Sequence, residues 1–198
     1  MITNRLGPVG YQEKATEFDI LPKPGAKISR IHSVVVVTGW AVNAIGINYD
    51  DASGSASYLV QPEGMAPAPV RNLFEVPKGD SLISIKVGWG AQAPGYPKNE
   101  IVTLQFETAT GLKSAVYGGT SGSAQVTEYS LRAPDGHEII GLFGGRGGGQ
   151  NLIQRLGISV QARCDCSALV QRIATIEERL AKQEQQLAEL ARLIPTSS

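Results

Sequence analysis

Over residues 1–163 the apolar residues recur in short runs, and none of them sustains a helical period. In Leu82-Ile83-Ser84-Ile85-Lys86-Val87, side chains alternate between apolar and polar or charged neighbours. In Ile101-Val102-Thr103-Leu104-Gln105-Phe106, residues Val102, Leu104 and Phe106 share one face. A period of two means strands, because successive side chains of an extended chain point to opposite sides. Strands are predicted at Ile31–Thr38, Ala41–Tyr49, Ser57–Gln61, Val70–Val76, Ser81–Trp89 and Ile101–Thr108. More are predicted at Ala115–Tyr117, Ala124–Leu131, Glu138–Phe143 and Leu152–Gln161. Turn chemistry separates them at Asp51–Gly54, Lys78-Gly79-Asp80, Thr110-Gly111 and Pro134-Asp135-Gly136. The spacing predicts an all-β sandwich, barrel or prism.

Beyond Arg163 the pattern changes. Residues 164–198 contain no glycine and are rich in Ala, Leu, Glu, Gln and Arg. Leu169, Ile173, Ile176, Leu180, Gln183, Leu187, Leu190 and Ile194 follow one another in alternating steps of four and three. That is a heptad: Cys166, Ile173, Leu180, Leu187 and Ile194 fall at a, and Leu169, Ile176, Gln183 and Leu190 at d. Asp165 or Ser167 can cap the start and Pro195 stops the helix, which would be roughly 40 Å long. Arg172 and Arg179 at g face Glu177 and Glu184 at the following e positions, as a parallel coiled coil requires. Mixed Ile and Leu at both seam positions, with apolar Val170 and Leu193 flanking, predict a trimer or tetramer rather than a dimer. The alternative is a helix folded back on its own β unit. Domains are therefore expected at 1–163 and 164–195, with a tail at 196–198.

Composition narrows the class. Apolar residues make up 42 % of the chain, enough to bury a core, and the 23 glycines suit a β protein with many tight turns. Eighteen basic residues balance eighteen acidic ones. A neutral chain argues against a nucleic-acid partner, which calls for a basic patch, and against a polybasic membrane surface. No stretch approaches the ~20 apolar residues of a membrane span, so membrane insertion is not expected. Two cysteines, Cys164 and Cys166, are too few for a disulfide framework. Cys166 at the top of the seam leaves interchain disulfides and reduced buried thiols both open. Met1–Gly10 lacks an apolar secretion region, so the expected location is cytoplasmic, or outside the cell by a non-classical route.

Seven segments, in order, resemble jacalin-related lectins. Gly7-Pro8-Val9-Gly10 stands where the family opens with Gly-Pro-x-Gly-Gly, with Tyr11 replacing the last glycine. Val42–Asp50 is similar to a strand ending in Ile-x-x-x-Tyr-Asp. Phe74-Glu75-Val76 with Gly79–Ile85, Ile101–Thr108 and Val116-Tyr117-Gly118 resemble further family strands. Glu138-Ile139-Ile140-Gly141-Leu142-Phe143-Gly144 and Leu156-Gly157-Ile158-Ser159-Val160 are similar to its Ile-Val-Gly-Phe-x-Gly and Ile-Gly-Val-Tyr pair. The resemblance covers about residues 5–161. It implies a β-prism of three Greek-key sheets with one sugar site at one end. That site would be built from the N-terminal glycine loop, a second loop before the Ile101 strand, and the last hairpin loop.

The resemblance also implies a site in which one acceptor is changed. The family's last hairpin carries Gly-x-x-x-Asp, whose Asp accepts two sugar hydroxyls. Counting back from Gly157, the Asp position falls on Gln154, and the Gly position on Gln150, or on Gly149 with an insertion. A neutral amide accepts hydroxyl hydrogen bonds about half as strongly as a carboxylate. Gln154 would offer its amide oxygen, Asn151 would assist, and the glycine-rich Gly144–Gly149 would present backbone donors. Trp89 and Tyr96 in the second loop are candidates to stack on a sugar ring, with packing into the prism end as the alternative. Gly10 and Tyr11 either donate backbone amides or form a structural turn. Galactose-specific members of the family usually have a chain cut at this loop, so by resemblance the unbroken chain implies mannose- or glucose-type ligands rather than galactose.

Other constellations fall away. Gly144–Gly149 is followed by a strand and lacks a Lys-Ser/Thr pair, so it is not a phosphate loop. His32 and His137 have no clustered partner for a metal. Asp50-Asp51 reads as a turn rather than a calcium loop. No catalytic motif stands out. The expectation is a non-enzymatic, multivalent carbohydrate-binding lectin without cofactors, clustered by its C-terminal helix. The runner-up is a scaffold or targeting module whose sugar site is degenerate.

Overall fold

The computed structural model describes residues 4–11, 15–20, 30–51, 54–60, 70–91, 95, 100–119, 125–147, 152–163 and 175–186. Twelve strands follow one another: β1 (Asn4–Gly10), β2 (Thr16–Ile20), β3 (Arg30–Thr38), β4 (Val42–Asp51), β5 (Gly54–Val60), β6 (Val70–Glu75), β7 (Leu82–Gly90), β8 (Glu100–Thr108), β9 (Tyr117–Gly118), β10 (Val126–Arg132), β11 (His137–Gly147) and β12 (Leu152–Ala162). They form three four-stranded sheets in the orders β1-β12-β11-β2, β5-β4-β3-β6 and β10-β7-β8-β9, with every pairing antiparallel. Each sheet has the same plan: a central hairpin flanked by one strand on either side. The predicted prism of three Greek-key sheets is the fold observed. By contacts within the chain, Met1–Ala162 and Arg163–Ser198 form separate compact units.

The repeat extends to irregularities of register. In the central hairpins the pairing slips after Ile31 and Val37, after Leu82 and Gly88, and after Ile139 and Gly145. The interval in the first strand is six residues each time. A bulge bends its strand and re-aims side chains, so slips near both ends shape each hairpin alike. Between them, alternate residues enter one core. Val34 and Val36 from β3, Ile45 and Ile47 from β4, Ile85 and Val87 from β7 and Leu104 and Phe106 from β8 are buried there. Ile139 and Leu142 from β11 join Leu156, Ile158 and Val160 from β12. Phe106 stacks on Phe74, ring centroids 5.8 Å apart, and meets Tyr117 at 6.1 Å.

Nine of the strands overlap the segments expected for them; β9 shares only Tyr117 with the expected Ala115–Tyr117, and β1 and β2 were not anticipated. Both flank the central hairpin of their sheet. The slip between Leu6 and Val9 in β1 spans Pro8, which has no amide proton to donate and so belongs at an edge. In β2, only Phe18 and Ile20 turn inward among Thr16, Glu17 and Asp19, too short a run for a period to register.

The end of the prism where β7 begins and β8 finishes is closed by a polar network. Asp80 is buried; its Oδ1 accepts the amides of Ser81 at 2.8 Å and Thr110 at 3.2 Å, and its Oδ2 accepts the Thr110 hydroxyl at 2.5 Å. Buried Glu138 accepts the Ser81 hydroxyl at 2.7 Å and the Gln161 amide at 3.0 Å. Burial pushes the Asp80 carboxyl up, but hydrogen bonds from Thr108, Thr110 and Ser81 together outweigh it and hold it below 3.8. The folded value is depressed, so this stabilisation is complete above 3.8 and is lost as pH falls through the lower, folded value. Asp80→Ala is expected to cost about 2–3 kcal/mol at neutral pH, because two amides lose their acceptor. Urea unfolding at neutral pH and again well below the ordinary carboxyl value checks this; the gap between parent and variant should shrink in acid.

In the second unit, residues 175–186 are helical, and Lys182 pairs with Glu178 one turn back at 3.0 Å. Among the described residues no helix is long and apolar enough to cross a membrane.

Candidate functional site

At the other end of the prism the three central hairpins turn. Ala41 just before β4, Val102 near the start of β8 and Leu152 at the start of β12 are buried against one another. They hold equivalent places in the three sheets, so their contact brings the three hairpin ends together. This is the rim at which the sequence placed a site.

Three predicted site residues meet here. Gly10 ends β1 opposite Arg155, with φ at +114°. A Cβ at Gly10 would stand 2.3 Å from the Gln154 carbonyl oxygen, so only glycine lets the chain pass so close. The next amide, Tyr11 N–H, donates to that same oxygen at 3.0 Å. Gln154 is the residue left over in the slip between Gly145 and Arg146, since Gly145 pairs with Arg155 and Arg146 with Ile153. Gln154 is 2 % exposed, so its polar side chain is enclosed by protein and not displayed on the surface.

Trp89 pairs with Ile101, in step with Ile85 and Val87 on the core-facing side of β7, and is partly buried. Its Nε1 is enclosed with no acceptor among the described residues. The indole is therefore partly enclosed at the end of β7, with a ring N–H that no described residue accepts. Tyr96, Gly149, Gln150 and Asn151 lie outside the described residues. So do Cys166, Leu169, Ile173, Leu187, Leu190 and Ile194 of the expected seam. Ile176, Leu180 and Gln183 lie on the helix, with Ile176 60 % and Leu180 56 % exposed.

One expectation is corrected. Gly144–Gly147 is not loop: it pairs with Leu156–Leu152 of β12, and Gly144 and Gly145 pair also with Phe18 and Glu17 of β2. A Cβ at Gly144 would meet the Arg155 carbonyl oxygen at 2.1 Å, so close approach of strands explains the glycine. The amides of these residues run through the sheet and are not a donor loop.

The structure adds polar groups that the sequence did not single out. Arg155 is buried beside Gly145 and ion-paired to exposed Glu17, which ties β12 to β2 across β11. Glu100 opens β8 directly across from Gly90; its Oε2 is enclosed with no donor among the described residues, and burial pushes the carboxyl up from 4.5. Trp40 is 60 % exposed on the β3–β4 turn, beside Ala41. An apolar ring in a turn was the sequence signal for it. Among the described residues no three metal-ligating side chains cluster.

A rim carrying enclosed donors and acceptors, aromatic edges and rigid backbone suits hydroxyl-rich ligands. Residues 4–159 match the family model described as a jacalin-like lectin domain. No curated protein sequence matches at a significant level. Among solved structures, the Calystegia sepium agglutinin is similar, with 17 % identity, 82 % of this chain and 99 % of that chain covered, and a TM-score of 0.64. A complex of the Calsepa lectin with a biantennary N-glycan has 18 % identity, the same coverage and a TM-score of 0.64. A mannose-binding jacalin-related lectin from Ananas comosus has 20 % identity, covers 81 % of this chain and 99 % of its own, and has a TM-score of 0.61. These likenesses carry the fold.

Proposed function

Because the chain belongs to the jacalin-like lectin domain family, we propose that it is a non-enzymatic lectin that binds glycans at the hairpin rim and displays several copies of that site. The observation that carries this is the stitching of Gly10 and Tyr11 to the Gln154 backbone where the three hairpins converge. The ligand is held by Gly10, Tyr11, Trp89, Tyr96, Gly149, Gln150, Asn151 and Gln154, and mannose- or glucose-type sugars are favoured. Mannose binding by the Ananas comosus lectin supports that class. The helix multiplies the sites as a parallel trimer or tetramer. Ile176 and Leu180, exposed on a lone helix one turn apart, support this: such residues gain most by covering one another.

A second reading has its own support. Gln154 is neutral and 2 % exposed, which suits a scaffold whose sugar site has decayed. A glycan array probed with the intact chain and with Gln154→Asp separates the two. A working site gives parent binding that Gln154→Asp strengthens by about tenfold, the gain from an ionised acceptor. Binding by the variant alone supports the scaffold. If neither chain binds any glycan, the lectin reading is lost.

A further inference from the structure

We propose that the outer face of the β10-β7-β8-β9 sheet holds a ligand site of its own, for a singly charged oxyanionic group: a carboxylate or a sulfate monoester on a small polar molecule. This site is separate from the rim and stands independently of the glycan reading.

In β7, Ile85 and Val87 enter the core, so Ser84 and Lys86, which alternate with them, point outward. Strand pairing then fixes what surrounds Ser84. Arg132 of β10 stands opposite it on one side and Glu107 of β8 on the other, and Lys113 is bridged to Glu107 beyond. Lys86 is the next residue along the same face, and it is ion-paired to Glu128 of β10 at 2.8 Å. Opposed residues of neighbouring strands stand ~5 Å apart and successive residues on one face ~7 Å, so all of these groups lie within reach of one small molecule. They line a cavity of about 370 Å³, a size within the range of small-molecule sites.

A merely solvated sheet face pairs its charges and turns its hydroxyls to water. This one does neither. Arg132 pairs with Glu107 at 3.2 Å and Lys86 with Glu128, but the Lys113 ammonium has no ion-pair partner among the described residues. Three cations therefore face two carboxylates, a surplus of one positive charge. Ser84 lines the same cavity, is only 5 % exposed, and no described residue bonds its hydroxyl. An enclosed hydroxyl without a partner is unfavourable, and an anion in the cavity would accept its hydrogen bond. Lys86, Glu128 and Arg132 are half-exposed or more, and ion pairs of that kind hold weakly, so the cations can turn to an anion at small cost. A monoanion balances the face, whereas a dianion would be repelled by Glu107 and Glu128. The Arg132 fork suits two oxygens at once, and the two lysines supply point charges on either side.

The experiment follows amide NMR spectra of the isotope-labelled full chain against methyl sulfate, glucuronate and glucose, with sodium chloride holding ionic strength constant. The expected result is saturable shifts of the Ser84, Lys86 and Lys113 amides with methyl sulfate or glucuronate, and none there with glucose. The anion that saturates them identifies the source of the charge. Ser84→Ala and Lys113→Gln should each weaken binding three- to tenfold. Glu128→Gln should strengthen it, because Lys86 is released from its partner. Lys113 and Glu128 are exposed, so neither change should move the thermal midpoint. Shifts that fail to saturate with both anions, or that glucose reproduces, overturn the proposal. So does an affinity unmoved by Lys113→Gln or lowered by Glu128→Gln. Glycan binding at the rim would be read separately at the Tyr11 and Gln154 amides, so failure of the lectin reading leaves this test intact.

Discussion

Replacing Ile176 and Leu180 together with Asp is expected to lower apparent affinity for a glycan-coated surface by ~10²–10⁴, with affinity for one soluble oligosaccharide unchanged. Both side chains are more than half exposed in a lone helix. Burying two such residues on several copies is worth roughly 1.5–3 kcal/mol each per chain. Charging the seam reverses that gain and adds repulsion between like groups at each layer. The described core of the prism is drawn from all three sheets, so its fold should survive the change. Light scattering would report the mass, and surface binding against solution titration the avidity. A double variant that still sediments as trimer or tetramer would exclude this seam as the join. A monomeric variant that agglutinates as well as the parent would exclude avidity.

What the sequence discloses depends on how many neighbours a residue answers to. The central strands reveal themselves because one face of each enters a shared core: Ile85, Val87, Leu104 and Phe106 alternate with polar residues for that reason alone. Sheet edges reveal less. Glu17 and Asp19 in β2 face solvent, and Gly7 and Pro8 sit within the register slip of β1, so neither strand shows a clean period. Glycine misleads in the opposite direction. Gly144 and Gly145 look like loop residues in a chain but mark strands packed too closely for a side chain. Counting from Gly157 proposed Gln154 for the family's Asp position; the enclosure of Gln154 was not legible, because a register slip and the covering backbone of β1 decide it. Trp40, Glu100 and Arg155 matter through neighbours far along the chain. Ala41 meets Leu152 only once the sheets close, and Arg155 meets Glu17 only once β2 and β12 flank β11 in one sheet.

That closure makes Gly10 a sensitive point of the rim. Gly10→Ala is expected to weaken the fold by about 3 kcal/mol, the sum of a backbone conformation unfavourable to side chains and displacement of β1 from β12. The second contribution should dominate. At Gly79, φ is +85° and no atom lies within 4 Å of an added Cβ, so Gly79→Ala meets only the conformational penalty, about 1 kcal/mol. At Gly10 the added carbon would stand 2.3 Å from a carbonyl oxygen of the partner strand, which a rotamer change cannot relieve. The strand must move, and Tyr11 N–H then leaves the Gln154 oxygen. For a chain of this size the thermal midpoint should fall by roughly 6–12 °C, against about 2–4 °C for Gly79→Ala. Amide exchange should accelerate first at Tyr11. Glycan affinity should fall in Gly10→Ala even at temperatures where the prism stays folded, and should hold in Gly79→Ala. Equal losses of stability in the two variants would mean that the close passage of β1 over Gln154 contributes nothing, and intact glycan binding in Gly10→Ala would separate this loop from the site.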